Sequence, residues 1–234
     1  YWKYLSFADL KTRKFVSAKP QNQQNQIQQI DDSIKVYIND FSDLTEVKST
    51  KLPDGLKIYT HREVIESEEL SLKFGSMMKK APQDNPLAEV PISFAGLGLF
   101  IDIDKAAQIK KPLKLTFDLD EITKMDSFAS FSLQIYLGEE SSADIFVETL
   151  AERFFGFSNI RIDGKLEKRS RLNLCLKEQG GSQSRTMLHN FIDVESKAQL
   201  NFFDLTLPNQ WTRHNTVIYL QERDAEVKLK GIYL

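Results

Sequence analysis

Three histidines and one cysteine are the residues of this chain best suited to binding a metal or to acting as nucleophiles. They are His61, His189, His214 and Cys175. Imidazole and thiolate are ligands for iron and zinc. A structural or catalytic metal site needs at least three such ligands close together, so the value of these residues depends on where the fold places them.

The spacing of two of the histidines argues against a metal site. His189 and His214 lie 9 and 11 residues before two small residues of a repeat, Ala198 and Ala225. This similar spacing predicts that both imidazoles lie on roughly the same wall in adjacent repeats. A stacked pair still needs a third ligand, and Cys175 falls on another wall. The pattern therefore favours ordinary polar surface histidines.

Cys175 is predicted to face outward. It alternates out of phase with Leu172, Leu174 and Leu176, which are expected to line the core. A reactive thiolate needs an electropositive setting, and the sequence does not supply one. A single cysteine forms no internal disulfide, which fits a reducing, cytoplasmic compartment.

Two acidic pairs invite comparison with the paired carboxylates of glycosidases. Asp118 with Asp120, and Glu139 with Glu140, both lie near corners or strand ends, where solvated charges are expected. Gly180-Gly181-Ser182 lacks the Lys-[Ser/Thr] and the helix that follow a phosphate-binding loop. A polysaccharide-active β-helix enzyme, a lyase or hydrolase, is therefore retained only as the alternative function.

A fourfold repeat in the second half indicates the fold that must position these residues. Each copy is a small residue followed by alternating polar and apolar positions, and a charged turn precedes it. The copies are Ala143–Val147, Ser170–Leu174, Ala198–Phe202 and Ala225–Leu229, spaced by 27, 28 and 27 residues. A fixed period of this size is typical of a solenoid, and alternation of period two is typical of strands. The sequence predicts a mainly β fold, a parallel β-helix, with a β-sandwich as the second interpretation.

Composition limits the function classes. The 234 residues include 31 basic and 33 acidic side chains, with a net charge of −2 and no block of Lys and Arg. Nucleic-acid binding is therefore not indicated. The longest apolar stretch, Leu97 to Ile103, is too short to span a bilayer and contains Asp102, so no membrane partner is expected.

The chain divides into two predicted domains. Residues 1–97 are expected to form a small mixed α/β domain, and residues 98–234 a β-helix core that is incomplete at its C-terminus. Strands are predicted at Ser33–Ile38 and Leu56–Tyr59, and a helix within His61 to Lys80.

The first thirty residues are predicted to be irregular for the most part. The aromatic segment Tyr1 to Val16 suits a short helix or a docking arm. The Gln/Asn-rich stretch 17–30 has little to bury and is typical of a mobile linker.

Several short motifs resemble those of the SufB/SufD family, the scaffold subunits of the SUF iron–sulfur cluster assembly machinery. The C-terminal run resembles a characteristic "R-x-N … Gly-[Leu/Ile]-Tyr-Leu" pattern, with these residues in register: Arg213, Asn215, Leu220, Ala225, Gly231, Tyr233 and Leu234. Tyr1-Trp-Lys-Tyr4 is similar to an element near the start of SufD chains, although Tyr1 and Leu5 replace the usual Glu and Thr. Three further segments look like family motifs: Leu52-Pro-Asp-Gly-Leu56, Pro86 to Ile101 (without the usual Asn) and Pro112-Leu-Lys-Leu115. The N-terminal order is more similar to SufD than to SufB.

This resemblance implies a helical or mixed N-terminal domain followed by a right-handed parallel β-helix. It implies a non-enzymatic scaffold that pairs with a SufB-like subunit and recruits a SufC-like ATPase, with a homodimer as another arrangement. Iron or an iron–sulfur cluster would be met in the assembled complex. The family's known functional positions lie in a C-terminal third that this chain does not contain. No catalytic, cofactor-binding or metal residue is therefore assigned.

Overall fold

The structure is a computed structural model that describes residues 16–17, 26–30, 33–38, 52–78, 85–93, 98–120, 122 and 125–234. Three α-helices lie in this part of the chain: α1 (His61–Glu66), α2 (Glu68–Met77) and α3 (Val90–Ser93), the last preceded by a 3₁₀ turn at Pro86–Glu89. No helix among these residues is long and apolar enough to cross a membrane.

Strands make up most of the described chain. In chain order they are β1 (Val16–Ser17), β2 (Gln26–Ile30), β3 (Ser33–Ile38), β4 (Leu56–Thr60), β5 (Gly98–Ile103), β6 (Leu113–Asp118), β7 (Ser127–Leu137), β8 (Ser142–Ala151), β9 (Gly156–Leu166), β10 (Arg171–Gly180), β11 (Ser184–Val194), β12 (Gln199–Thr206), β13 (Trp211–Leu220) and β14 (Glu226–Tyr233). The strands predicted at residues 33–38 and 56–59 are confirmed, and α1 and α2 confirm the helical pattern after His61.

The strands form a solenoid of about 4 turns over residues 113–233. The first sheet has the order β13-β11-β9-β7-β5-β4, with β1 beside β7, and the second has the order β14-β12-β10-β8-β6-β3-β2. From β5 onward, successive strands alternate between the two sheets, and each pairs in parallel with the strand one coil away. The predicted β-helix is confirmed.

The predicted repeat assigns residues to the correct faces of the strands, but the register of its first copy is wrong. Ala143 pairs with Leu172, two residues beyond the predicted Ser170. The later copies align as predicted, because Leu172 pairs with Leu200 and Leu200 with Val227. A two-residue slip keeps every side chain on its own face, so alternation alone could not exclude it.

The charged corners share an unusual backbone conformation. Glu140, Arg169, Lys197 and Asp224 all have φ between 56° and 62°, although none is glycine. Each lies directly before a small residue, and in two of the corners its N–H donates to the next coil: Glu140 to the carbonyl of Lys168, and Arg169 to that of Ser196. The left-handed conformation turns the chain and continues the ladder of hydrogen bonds between coils.

The core lies between the two sheets and is built from one face of each strand. In β10 the buried apolar residues are Leu172, Leu174 and Leu176, as the alternation predicts. Phe117 and Phe131 stack across the gap between the sheets, with ring centroids 4.1 Å apart. The first sheet also carries a second buried face, on which the 3₁₀ turn, α1 and α2 pack.

The prediction of a mobile linker over residues 17–30 is wrong for its last five residues. Gln26–Ile30 forms a strand that pairs antiparallel with β3, so its backbone groups are satisfied by a neighbour and not by solvent. Residues 18–25, and the predicted arm before Val16, lie outside the described residues. Strand β3 pairs in parallel with β6, and β4 pairs with β5. Both sheets therefore include strands from before and after the expected domain boundary at 97/98. The boundary itself stays a prediction.

Candidate functional site

A charged cluster lies between the two sheets of the solenoid, near its C-terminal coils. His214 on β13 points between the sheets and meets two carboxylates on the second sheet, Glu178 of β10 and Asp204 of β12. Its Nδ1 lies 2.5 Å from Asp204 Oδ2 and its Nε2 lies 2.8 Å from Glu178 Oε2. The three side chains are between 3% and 6% exposed, so the charges interact with little screening from water.

The alternation of side chains along the strands places this cluster in the core. Glu178 and Asp204 occupy the core-facing positions that leucine and phenylalanine hold earlier in the same strands. Asn209, in the turn before β13, donates to Glu178 Oε1 at 2.8 Å, and Thr212 donates to the same oxygen at 3.2 Å. Tyr233 of β14 donates to Asp204 Oδ2 at 3.1 Å. Four strands of the last three coils are thus tied to one imidazole and its partners.

The electrostatics favour a protonated imidazole. Burial lowers the pKa of His214, but the hydrogen bonds and negative charges of Asp204 and Glu178 outweigh burial and raise it to about 9. As an imidazolium, His214 donates from both ring nitrogens. Burial and the adjacent Asp204 carboxylate also raise the pKa of the Tyr233 hydroxyl to about 12. The cluster is therefore a cation held between two anions and is not a vacant ligand set.

Two acceptor atoms in this region have no partner among the described residues. They are Asp204 Oδ1 and Thr206 Oγ1, both fully buried. Because both nitrogens of His214 are engaged, no imidazole lone pair is available to a metal. No group of three or more His, Cys, Asp or Glu side chains in the described ranges is arranged to hold a metal ion.

His189 lies on the same wall as His214, as predicted, but on the opposite face. Leu188 pairs with His214, whereas His189 pairs with Asn215. The imidazole of His189 accepts at Nδ1 from Asn85 (3.1 Å) and Asn215 (3.2 Å), and its Nε2 lies 3.1 Å from Asn159 Oδ1.

The prediction of surface histidines is wrong, because the side chains of all three are buried. Burial, together with the charges of Arg161, Arg213 and His214, lowers the pKa of His189 to about 3, so this imidazole is neutral. Its three asparagine partners replace the water that a surface histidine would have. Segment 85–93, which covers the face, could not be located from spacing alone.

Arg161 is the centre of the polar network on this covered face. Its guanidinium is 1% exposed and forms a bidentate pair with Asp163, at 2.9 Å from Nε to Oδ2 and 2.8 Å from Nη2 to Oδ1. Nη1 donates to the carbonyl of Ala88 at 3.1 Å and lies 3.2 Å from a Glu89 carboxylate oxygen. The ring of Phe191 lies 4.7 Å below the guanidinium carbon. Arg161 therefore fixes the 3₁₀ turn to the solenoid.

His61 closes the other end of this network. It is buried against Gln134, to which it is hydrogen bonded, and Gln134 in turn donates to Asp163 at 3.2 Å. Burial lowers the pKa of His61. Gly98 makes room for the ring, since a Cβ at that position would lie 2.2 Å from His61 Cε1.

Cys175 faces outward from β10, as predicted, and is half-buried in a groove of the second sheet. Burial raises the pKa of its thiol, and the Asp204 charge adds to this. The thiol is therefore less ionised than an ordinary cysteine and poorly suited to nucleophilic chemistry.

The acidic pairs have structural partners. Asp118 accepts from Tyr37 and from the backbone of Asp120. Glu139 and Glu140 lie at a corner and both pair with Arg169, at 2.6 and 2.7 Å. The expectation of solvated carboxylates at corners and strand ends is met by Glu140, whereas Asp118 is buried.

The residues that sequence reasoning missed are Arg161, Asp163, Glu178 and Asp204. The sequence could have indicated Glu178 and Asp204, because each is a charged residue at a position of the strand alternation that is otherwise apolar. It could not have indicated Arg161 and Asp163, because they occupy the outward-facing positions of their strand, where charged residues are ordinary.

A family model matches the second half of the chain. Residues 122–234 match the family model described as "SUF system FeS cluster assembly, SufBD core domain". The matched range includes β7 to β14, and with them the whole His214 cluster and Arg161. No curated protein matches the chain significantly.

Proposed function

We propose that the chain, whose residues 122–234 belong to the SufBD core-domain family, acts as a SufD-type scaffold subunit in SUF iron–sulfur cluster assembly. The match of the SufBD core domain to residues 122–234 is the observation that carries the proposal, and it supports a part in the SUF system. The SufD-type role is supported by the N-terminal motifs, whose order is more similar to SufD than to SufB.

The partners proposed are a SufB-like subunit and a SufC-like ATPase in the cytoplasm. The solenoid is suited to a scaffold, because stacked parallel strands give extended faces and edges for other subunits. Iron or a nascent iron–sulfur cluster is then cargo of the assembled complex.

The chemistry of the described side chains supports a scaffold and not an enzyme. His214 is held between two carboxylates, His189 among three asparagines and His61 against Gln134. Groups in such fixed internal pairs are unsuited to acid–base catalysis, which needs a proton acceptor within reach of a substrate. ATP hydrolysis is assigned to the SufC-like partner.

Genetic complementation separates the two family roles. The natural full-length protein, expressed in strains that lack either SufD or SufB, is expected to restore iron–sulfur enzyme activity only in the strain without SufD. Rescue of the strain without SufB alone would instead assign the SufB role.

Co-purification tests the partners directly. The tagged full-length protein, co-expressed with SufB-type and SufC-type subunits of its own organism, is expected to retain both through size-exclusion chromatography. A matched control omits the SufB-type subunit and measures whether the ATPase still binds. Failure to retain either subunit, with normal folding by circular dichroism, would contradict the scaffold proposal.

A further inference from the structure

A groove with an apolar floor crosses the outer face of the second sheet. It has a volume of about 410 Å³, and the aromatic rings of Phe146 and Phe203 lie on its walls. The register places Cys175 between them, paired with Phe146 on one side and Phe203 on the other. A small side chain between two large ones leaves a recess of the size of one apolar side chain.

One rim of the groove is positively charged. Lys228 and Lys230 extend from β14, and Lys230 lies in the same row as Phe203. Both lysines are exposed, and no ion pair among the described residues includes either of them. Their charge is therefore available to a partner.

The acidic groups of the same face are already engaged. Asp144 accepts from Asn173 at 2.5 Å, and Asn173 accepts from Asn201 at 2.7 Å, which forms a polar ladder along one side of the groove. Glu148 is shared by Lys114 and Lys177, each at 2.8 Å. The groove lining thus has one carboxylate, Asp144, whose partner Asn173 is neutral, against the two lysines, so the net charge beside the apolar floor is positive.

We propose that this groove docks an acidic protein segment that inserts one apolar side chain between Phe146 and Phe203. Carboxylates of that segment pair with Lys228 and Lys230. Aromatic walls around a desolvated pocket, with charged groups at the rim, are the usual composition of a protein interaction hot spot. A second copy of this face would bring its own lysines, so charge complementarity favours an acidic partner over self-association. This inference does not depend on the SufD-type role.

Cys175 provides the measurement, because it is the only cysteine in the sequence and lies on the floor of the groove. An occupant of the recess slows alkylation of the thiol by N-ethylmaleimide, a neutral reagent. The probe is a synthetic peptide with a central leucine flanked by aspartates and glutamates. At a concentration ten times its Kd the peptide is expected to slow alkylation about tenfold, since only the free protein reacts.

Matched peptides and variants identify the contacts. A peptide with lysines in place of the acidic residues, and one with serine in place of leucine, are expected to give no protection. The variant Lys228→Glu/Lys230→Glu is expected to lose protection by the acidic peptide, and the milder Lys230→Gln to weaken it. The control Lys110→Glu/Lys197→Glu makes the same charge change at exposed positions outside the groove and is expected to keep protection.

Four outcomes would overturn the proposal. Equal protection of Cys175 by all three peptides, or protection by none of them, would rule out specific binding of an acidic segment with an apolar side chain. Unchanged protection in both lysine variants, folded by circular dichroism, removes the charge pairing. Alkylation that slows with the protein's own concentration, in the absence of peptide, assigns the groove to a second copy. Protection by anionic phospholipid vesicles and not by the peptide assigns it to a membrane surface.

Discussion

Glu178 Oε2 and His214 Nε2 lie 2.8 Å apart inside the solenoid, although the two residues are 36 positions apart in the chain. The contact joins β10 of one sheet to β13 of the other across the core. Asp204 holds the opposite nitrogen of the same ring. The last three coils are therefore fastened by a buried ion triad as well as by apolar packing. Such a triad stabilises only while all its members are present, because each buried charge depends on the others.

Replacement of His214 by glutamine is expected to destabilise the fold strongly. It removes the cation and leaves Glu178 and Asp204 as buried carboxylates, at a cost of about 3–5 kcal/mol in the free energy of unfolding. Urea denaturation followed by circular dichroism measures this loss. The double variant Glu178→Gln/His214→Gln is expected to lose clearly less than the sum of the single variants, because one of the orphaned charges is gone. Additive losses would show that the three groups do not act as a unit.

The stabilisation from His214 is expected to disappear at alkaline pH. The pKa of this group is about 9 in the folded protein and about 6.5 in an ordinary histidine. The folded state therefore binds the proton more tightly, so the contribution is complete below pH 6.5 and is lost as the pH rises through 9. The shift corresponds to about 3 kcal/mol in the free energy of unfolding.

The measurement compares wild type with His214→Gln by urea unfolding from pH 6 to pH 10. The difference between the two proteins is expected to be largest at pH 6 and to shrink toward pH 10. A difference that stays constant over this range would mean that His214 is not protonated in the folded protein.

Arg161 is expected to hold the 3₁₀ turn at Pro86–Glu89 against the solenoid. In Arg161→Met the carbonyl of Ala88 loses a donor and Asp163 loses its counter-ion, which costs about 3–5 kcal/mol. Hydrogen exchange measured by mass spectrometry is expected to speed up first in peptides that include residues 85–93. The control Lys165→Met lies on the same strand, where the lysine is partly exposed and 3.7 Å from Glu195, and it is expected to leave that exchange unchanged.

Gly98 and His61 are expected to be energetically coupled. In Gly98→Ala the new Cβ would lie 2.2 Å from the imidazole of His61, and such overpacking costs about 1–3 kcal/mol. With His61→Ala in the background, the added cost of Gly98→Ala is expected to fall close to zero. Gly75→Ala is the matched control: nothing lies within 4 Å of a Cβ there, and in α2 the change is expected to stabilise by about 0.5–1 kcal/mol. Equal costs of Gly98→Ala with and without His61 would rule out the steric coupling.

The sequence predicted those parts of the fold that depend on alternation within one strand. The outward position of Cys175 and the core positions of Leu172 and Leu174 follow directly from period two. The register of Ala143 did not follow, because a shift of two residues preserves the alternation. The repeat spacing was enough to predict that His189 and His214 lie on the same wall. It was not precise enough to predict that they lie on opposite faces, because that depends on a difference of one residue in register.

The buried polar network around Arg161 could not be predicted from the sequence, for a different reason. Arg161 stands in the outward phase of β9, and only the packing of residues 85–93 turns that face into an interior one. Packing between distant segments leaves no local pattern. Glu178 is the opposite case, since a carboxylate in the phase of Leu174 and Leu176 indicates a buried partner from the alternation alone.

The left-handed corners of the solenoid are costly for residues with a Cβ. Lys197 has a φ of 56°, is exposed and takes part in no ion pair among the described residues. Asparagine adopts this conformation more readily than lysine. Lys197→Asn is therefore expected to stabilise the protein by about 0.5–1 kcal/mol, or a rise in Tm of about 1–4 °C for a chain of this size. Differential scanning calorimetry measures the change. Ser196→Asn, one residue earlier and outside the left-handed region, is the matched control and is expected to give no gain; an equal gain at both positions would show that backbone conformation is not the cause.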